Sequence, residues 1–231
     1  MSESYCLVVR AGVIDYLEAW ELQKRLVEAR VGGEAPDTLI LLEHPPTYTT
    51  GRGGDDGNAL FDDQALRRLG AVFYHTDRGG DITYHGPGQL VAYPIIDLKG
   101  WKQDVHAYCR SLEEVVIRTL GDFGIVAARI KGATGVWVGN EKIAAIGVRV
   151  SRWVTSHGFA LNVDPDLSYF GQIIPCGIRD KGVTSIARLL GEPVGREAVE
   201  QSVVAHFAEE FRRKMSMVTL REWMSTAKRN L

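Results

Sequence analysis

Cysteine is scarce in this chain. Its three thiols, Cys6, Cys109 and Cys176, are odd in number and far apart along 231 residues. A disulfide framework is therefore excluded as the organising device, and each thiol has to be explained by itself. No cysteine or histidine pair stands at CxxC or HExxH spacing, so a metal centre has no support and none is expected. GxxxxGKS/T and GxSxG are also missing, which removes the usual signals of a P-loop and of a serine nucleophile elbow. No apolar run approaches the roughly 20 residues of a membrane span. The opening Met1-Ser2-Glu3-Ser4-Tyr5 lacks the basic flank of a signal peptide. A formal net charge of −2 gives no overall attraction to nucleic acid. Repeats, linkers and low-complexity segments are absent too. With 45% hydrophobic and 24% charged residues the composition is globular. The expectation is one domain over residues 1–231, working in the cytoplasm, with neither membrane nor nucleic acid as partner and no cofactor.

The unusual chemistry is concentrated between Arg78 and Leu98. Arg78-Gly79-Gly80-Asp81-Ile82-Thr83-Tyr84-His85 opens with a charge and two glycines and passes through a polar aromatic pair. Adjacent glycines lack the Cβ atoms that would keep a ligand off the backbone. Gly86-Pro87-Gly88 is a turn signal, and Leu90 to Leu98 reads as a buried strand, with Pro94 placing it near an edge or a bulge. A polar, glycine-lined segment feeding a core strand is a way to build a binding floor; a plain loop would use the same glycines.

Upstream, Cys6 to Arg10 predicts a strand. Val13, Leu17, Trp20 and Val27 recur at helical spacing, with Lys24 interrupting the stripe. A short strand at Thr38 to Leu42 stops at Glu43-His44-Pro45-Pro46. The glycine-rich stretch Thr47 to Asn58 reads as a long loop, with Gly51-Arg52-Gly53-Gly54 a weak phosphate-cradle signal. A helix near Asp62 to Arg68 and a strand near Ala71 to His75 follow. Downstream, Val105, Cys109, Leu112, Val116 and Leu120 predict a helix in which Cys109 packs as a small hydrophobe, with His106 solvated. Residues 135–150 read as two strands joined at Gly139-Asn140, and Thr155 to Val163 as a third. A helical turn near Asp166 to Phe170, then helices at Ile186 to Leu190 and around Val199 to Phe211, complete the pattern. The tail from Ser216 gives no clear signal.

Two side chains stand out for chemistry. Lys142 begins a run of small and apolar residues; it either covers a sheet edge, as strand-end charges do, or faces a ligand. Cys176 sits between Pro175 and Gly177, with Arg179 and Lys181 close in sequence. Cationic neighbours stabilise a thiolate, and a loop presents it; a structural cysteine in a turn is the alternative.

Together the motifs Arg78 to Gln89, Lys142-Ile143-Ala144-Ala145-Ile146-Gly147, His157-Gly158-Phe159-Ala160-Leu161-Asn162 and Pro175-Cys176-Gly177-Ile178 resemble the octanoyltransferases of lipoate synthesis. Glu43-His44-Pro45-Pro46 is similar to an early histidine segment of that family. The resemblance implies an α+β fold of the biotin/lipoate protein ligase type, a mixed, mainly antiparallel sheet flanked by helices. It implies transfer of an octanoyl group from octanoyl-acyl carrier protein to a lysine of lipoyl domains, those of 2-oxoacid dehydrogenase complexes and of the glycine cleavage H protein. Carried over by position, Cys176 is the nucleophile and acyl-thioester site, and Lys142 lowers the thiol's pKa and acts as acid/base partner. Substrate binding falls on Arg78, Gly79, Gly80, Asp81, Ile82, Thr83, Tyr84 and His85, on Ala145, Ile146 and Gly147, and on Gly158, Phe159 and Ala160. Tyr84 and His85 are placed at the mouth of the acyl tunnel or beside Lys142. Two rivals stay open at this point: an ATP-dependent lipoate or biotin ligase, and a non-catalytic acyl-binding protein. Arg52, Arg149, Arg152, Arg179 and Lys181 are docking candidates by charge for an acidic carrier.

Overall fold

The computed structural model describes residues 4–174, 181–219 and Trp223. The chain begins with strand β1 (Ser4–Val13), helix α1 (Tyr16–Val31), β2 (Asp37–Glu43) and β3 (Thr47–Thr50). Helix α2 (Asp63–Leu69), β4 (Val72–His75), β5 (Thr83–His85), β6 (Gln89–Ile95) and α3 (Val105–Asp122) follow. The second half runs β7 (Ala128–Ile130), β8 (Ala133–Val138), β9 (Glu141–Ser151), β10 (Val154–Asn162) and β11 (Gly182–Val183). Helices α4 (Ile186–Leu190) and α5 (Arg196–Phe211) and strand β12 (Arg213–Thr219) close it.

Among the described residues the main sheet has the order β12-β1-β2-β6-β10-β9-β8-β7, with β11 beside β9. Its β1–β12, β1–β2 and β9–β11 pairs are parallel and the rest antiparallel. A smaller sheet, β4-β3-β5, stands apart. The architecture is the mixed, mainly antiparallel α+β arrangement expected.

Side chains on a strand alternate between faces, and β2 and β6 bury both. Leu39, Leu41, Leu90 and Ala92 enter one core with α3 and α5; Ile40, Leu42, Val91, Tyr93 and Ile95 enter a second under α1. That double burial explains the unbroken apolar runs in these strands. A third cluster, with Tyr48, Ile82, Tyr84, Phe170 and Ile173, fills the space under the small sheet.

Four expectations change. Helix α1 buries only part of the expected stripe: Val13 lies on β1 and Leu17 is exposed, Trp20 is half-buried and Val27 is buried, and Tyr16, Ala19, Leu22 and Leu26 join it in the core. The helix starts where Asp15 accepts from the Leu17 N–H at 2.9 Å, after Val13 has ended β1. The stretch Thr47 to Asn58 is not all loop, since β3 occupies its first four residues between β4 and β5. Strand β6 is central despite Pro94. Its ladder with β10 runs from Gln89 to Ala92; beyond it the Thr155 hydroxyl donates to Pro94 O at 2.7 Å and accepts from the Ile96 N–H at 2.9 Å. The tail contains β12, which pairs with β1 from the other end of the chain.

Candidate active site

A cavity opens on the α1 side of the main sheet and encloses about 490 Å³, part of it open to solvent. Its floor is Val91 and Tyr93 of β6, Ala145, Ile146 and Gly147 of β9, and Gly158, Phe159 and Ala160 of β10. Arg78, Gly80 and Asp81, between β4 and β5, and Thr83 and His85 of β5 cover it, with Tyr16 and His157 also lining it. The three segments singled out in the sequence therefore meet around one space.

Two candidate residues point elsewhere. Alternation along β5 sends Thr83 and His85 to the cavity and turns Ile82 and Tyr84 into the cluster with Tyr48 and Phe170. Tyr84 stacks on Tyr169 with centroids 4.7 Å apart, so it does not stand at the cavity mouth or beside Lys142. Gly79 is also outside the lining; its N–H donates to Val148 O at 2.8 Å and docks the segment onto β9. That crossing is close enough to require Gly147, where a Cβ would stand 2.8 Å from Gly79 O and 3.1 Å from Arg78 Cδ. Gly158 is under the same constraint, since its Cβ would reach 2.1 Å from Ala92 O. The glycines around Arg52 cradle no phosphate: the Arg52 N–H donates to Arg78 O at 2.9 Å and that of Gly53 to Gly80 O at 3.3 Å.

The polar groups of the cavity are tied into networks. Arg78 is buried and donates through Nη2 to Thr49 O at 2.7 Å and Thr49 Oγ1 at 2.9 Å. Thr49 in turn reaches His85 Nε2 at 3.4 Å. Gln89 donates to Tyr84 O and to Asn162 Oδ1, so its own carbonyl accepts the Nδ1 proton of His85 at 3.0 Å. Burial, reinforced by His44 and the charge of Arg78 beside it, pushes His85 well below the ordinary histidine range. His44 donates to Ile14 O at 2.8 Å and accepts from the Tyr93 hydroxyl at 2.8 Å; burial lowers its pKa to about 4. Tyr16 stacks on His85 with centroids 5.8 Å apart, and burial raises its hydroxyl to about 12. Neutral rings and the Arg78 network thus make one wall, and the inward side chains of Val91, Ala145 and Ala160 make the other, an apolar floor suited to hydrocarbon.

His157, Asp77, Tyr16 and Tyr93 were not among the sequence candidates. His157 sits at φ +55°, a rare conformation for a residue other than glycine. Its N–H is held by Gln23 Oε1 at 2.7 Å and its Nε2 proton by Asp77 Oδ1 at 2.7 Å. Asp77 also receives Arg149. The one available signal was the position of His157 directly before Gly158 inside a motif.

Lys142 is 6% exposed on an internal strand, so it is not an edge cover. It stands three residues before Ala145 on β9 and is outside the cavity lining. Its ammonium lies 4.8 Å from the centre of the Trp137 ring. Strand β11 runs beside it, Val183 opposite Lys142, and the Thr184 N–H donates to Lys142 O at 3.0 Å. Cys176 and Arg179 lie outside the described residues. The chain before them ends with the Ile174 N–H on Asn58 O at 2.8 Å, and Asn58 Nδ2 donates to Asp81 Oδ2 at 2.6 Å. Burial raises the other two thiols, Cys109 to about 11 and Cys6 further, so both are protonated at neutral pH. Of the other docking candidates, Arg149 is paired with Asp77, Arg152 with Glu28 at 2.5 Å, and Lys181 with Asn140 at 2.5 Å; Arg52 is exposed. No helix among the described residues is long and apolar enough to cross a membrane.

A mixed sheet of this order, with a cavity between its β6, β9 and β10 strands and the small sheet, is an α+β domain built around one binding space. Residues 15–208 match the lipoyl protein ligase A/B catalytic domain, and the chain belongs to that family. An octanoyltransferase of Solibacter usitatus is 56% identical over 89% of this chain and 93% of its own. One of Rubrobacter xylanophilus is 55% identical over 86% and 90%. Among solved structures, a bi-partite lipoate protein ligase from Thermoplasma acidophilum aligns with a TM-score of 0.69 at 16% identity, covering 95% of this chain and 88% of that one. The biotin protein ligase of Aquifex aeolicus aligns with a TM-score of 0.51 at 16% identity, over 89% and 69%. These two structural likenesses concern the fold alone.

Proposed function

We propose that this chain transfers an octanoyl group from octanoyl-acyl carrier protein to a lysine of a lipoyl domain, through a thioester on Cys176. The acceptors are the lipoyl domains of 2-oxoacid dehydrogenase complexes and the glycine cleavage H protein, and the reaction takes place in the cytoplasm. The observation that carries the reading is the cavity, whose inward apolar strip of Val91, Ala145 and Ala160 suits an alkyl chain. Relatives about half identical to the chain over nine-tenths of its length carry the name octanoyltransferase. Each buried methylene contributes about 0.8 kcal/mol, so an eight-carbon tail supplies roughly 5 kcal/mol of attraction.

The chemistry is downhill. A Cys176 thiolate adds to the donor's thioester carbonyl; the tetrahedral intermediate collapses by expelling the carrier thiolate, leaving octanoyl on Cys176. The acceptor's amine then attacks that carbonyl, loses a proton, and expels the Cys176 thiolate as the amide forms. A thioester retains enough activation for amide formation without a nucleotide. Lys142 is assigned to proton transfer in both steps, help typically worth about 10²- to 10⁴-fold. The flanks of the Cys176 segment support the pairing: one, at Ile174, is linked through Asn58 to Asp81 of the cavity, and the other enters β11 beside Lys142.

Intact mass after incubation with octanoyl-acyl carrier protein, followed by addition of lipoyl domain, tests the proposal. The expected record is one octanoyl group on the wild-type chain, removed by lipoyl domain, and none on Cys176→Ser or Cys176→Ala. Full labelling of either variant would remove Cys176 from the mechanism. ATP-pyrophosphate exchange with free octanoate would point to a ligase instead.

A further inference from the structure

Strands β8 and β9 pair in antiparallel fashion, but their register breaks. Val136 opposes Ala144, while the next residue, Trp137, opposes Lys142. Ile143 is the extra residue of a β-bulge and is itself fully buried. In an unbroken ladder Trp137 would face Ile143, and Lys142 would fall opposite Val138. Bulges of this kind re-aim a side chain, and here the re-aimed group is the lysine.

The bulge sets Lys142 Nζ 4.8 Å from the centre of the Trp137 ring. The indole is 2% exposed, and its Nε1–H donates to Ala133 O at 3.2 Å, so its plane is fixed. Gly135 makes room for the lysine stem. A Cβ there would lie 3.5 Å from Lys142 Cε and only 2.6 Å from Ala144 O, at a φ of +125° that favours glycine. Lys181 Nζ, bonded to Asn140 Oδ1, stands 5.2 Å from the same ring, so one buried indole attracts two ammonium groups.

We propose that Trp137 is a positioning residue for octanoyl transfer, its π face selecting the rotamer in which Lys142 acts. The ring's negative face attracts a cation most strongly where water is excluded, and a lysine stem has many rotamers from which to select. The inference rests on the reading of Lys142 as the acid–base group. It adds that this lysine owes its placement to an aromatic quadrupole as well as to the strand.

The test compares octanoyl transfer to lipoyl domain by Trp137→Phe, Trp137→Leu and the full-length wild type. Phenylalanine keeps a π face and leucine does not, although the two are close in size. Trp137→Leu should lose roughly 10-fold or more in kcat with KM changed by no more than about twofold, and Trp137→Phe should recover most of the loss. Equal impairment of the two variants, or a wild-type kcat in Trp137→Leu, would overturn the proposal. Should the leucine variant fail to fold, mono-, di- and trifluorinated tryptophan at position 137 withdraw ring density at nearly constant shape. Stepwise loss of kcat along that series supports the role, and a flat series refutes it. Lys142→Ala run alongside separates the two failures. If it transfers at the wild-type rate, the acid–base reading falls and this inference with it; if it is inactive while the fluorinated series is flat, only the role of Trp137 falls.

Discussion

Asp77 clasps His157 of the cavity lining, and removing its carboxylate exposes how much that clasp contributes. Asp77→Ala deletes the acceptor of the His157 Nε2 proton, 2.7 Å away, and of Arg149. His157 is 2% exposed and its Nδ1 has no hydrogen-bond partner among the described residues, so the variant leaves both ring nitrogens unsatisfied. A hydrogen bond to a charged group is worth about 1.5–3 kcal/mol. The Arg149 pair, with that side chain 36% exposed, adds at most about 1 kcal/mol. A loss of about 2–3 kcal/mol lowers the melting temperature of a chain this size by roughly 5–10 °C. The pH dependence is a second check. Burial pushes the Asp77 carboxyl up, but the His157 hydrogen bond and the charges of His157 and Arg149 outweigh it and hold the pKa at about 2, against 3.8 for a free aspartate. A folded-state pKa below the unfolded one means stability present above pH 3.8 and lost as the pH falls toward 2. The gap between wild type and Asp77→Asn, from urea midpoints, should therefore be full at neutral pH and narrow through that window. A melting temperature unchanged in Asp77→Ala, or a gap independent of pH, would refute the account.

Two further outcomes follow from the geometry. Gly158→Ala puts a methyl 2.1 Å from Ala92 O and 2.6 Å from Pro94 Cδ. Strands β6 and β10 must part, which should cost about 1–3 kcal/mol in urea unfolding and weaken octanoyl binding by calorimetry; wild-type values for both would count against the close approach. His44 should stay neutral until about pH 4, because burial outweighs its bond to Ile14 O and the charge of Asp15. Its pKa lies below the unfolded value of 6.5, so it contributes up to about 3 kcal/mol above pH 6.5, lost as the pH falls toward 4. A His44 imidazole resonance, assigned by its disappearance in His44→Gln, that titrates near 6.5 would contradict this.

Much of the molecule was legible in the residues alone. Apolar runs at 38–42 and 90–98 announced buried strands because β2 and β6 each feed two cores, leaving no polar face to interrupt them. The glycines of 79–80 announced a close approach, and three motifs far apart in the chain named the floor and cover of one cavity, whereas the tight crossings at Gly147 and Gly158 came only from the structure. What escaped was whatever depends on partners distant in sequence. Strand β12 is specified by β1, some two hundred residues away, and β3 by its neighbours β4 and β5. The inward face of α1 is chosen by the sheet beneath it, which a stripe of apolar letters does not register. Tyr84 and His85 read as one aromatic pair, yet alternation on β5 sends them to opposite sides. Lys142 makes the same point most sharply. The sequence determined that a lysine precedes a run of small residues. Only the bulge at Ile143 decided that it meets the Trp137 ring, because strand register is a property of two chain segments together.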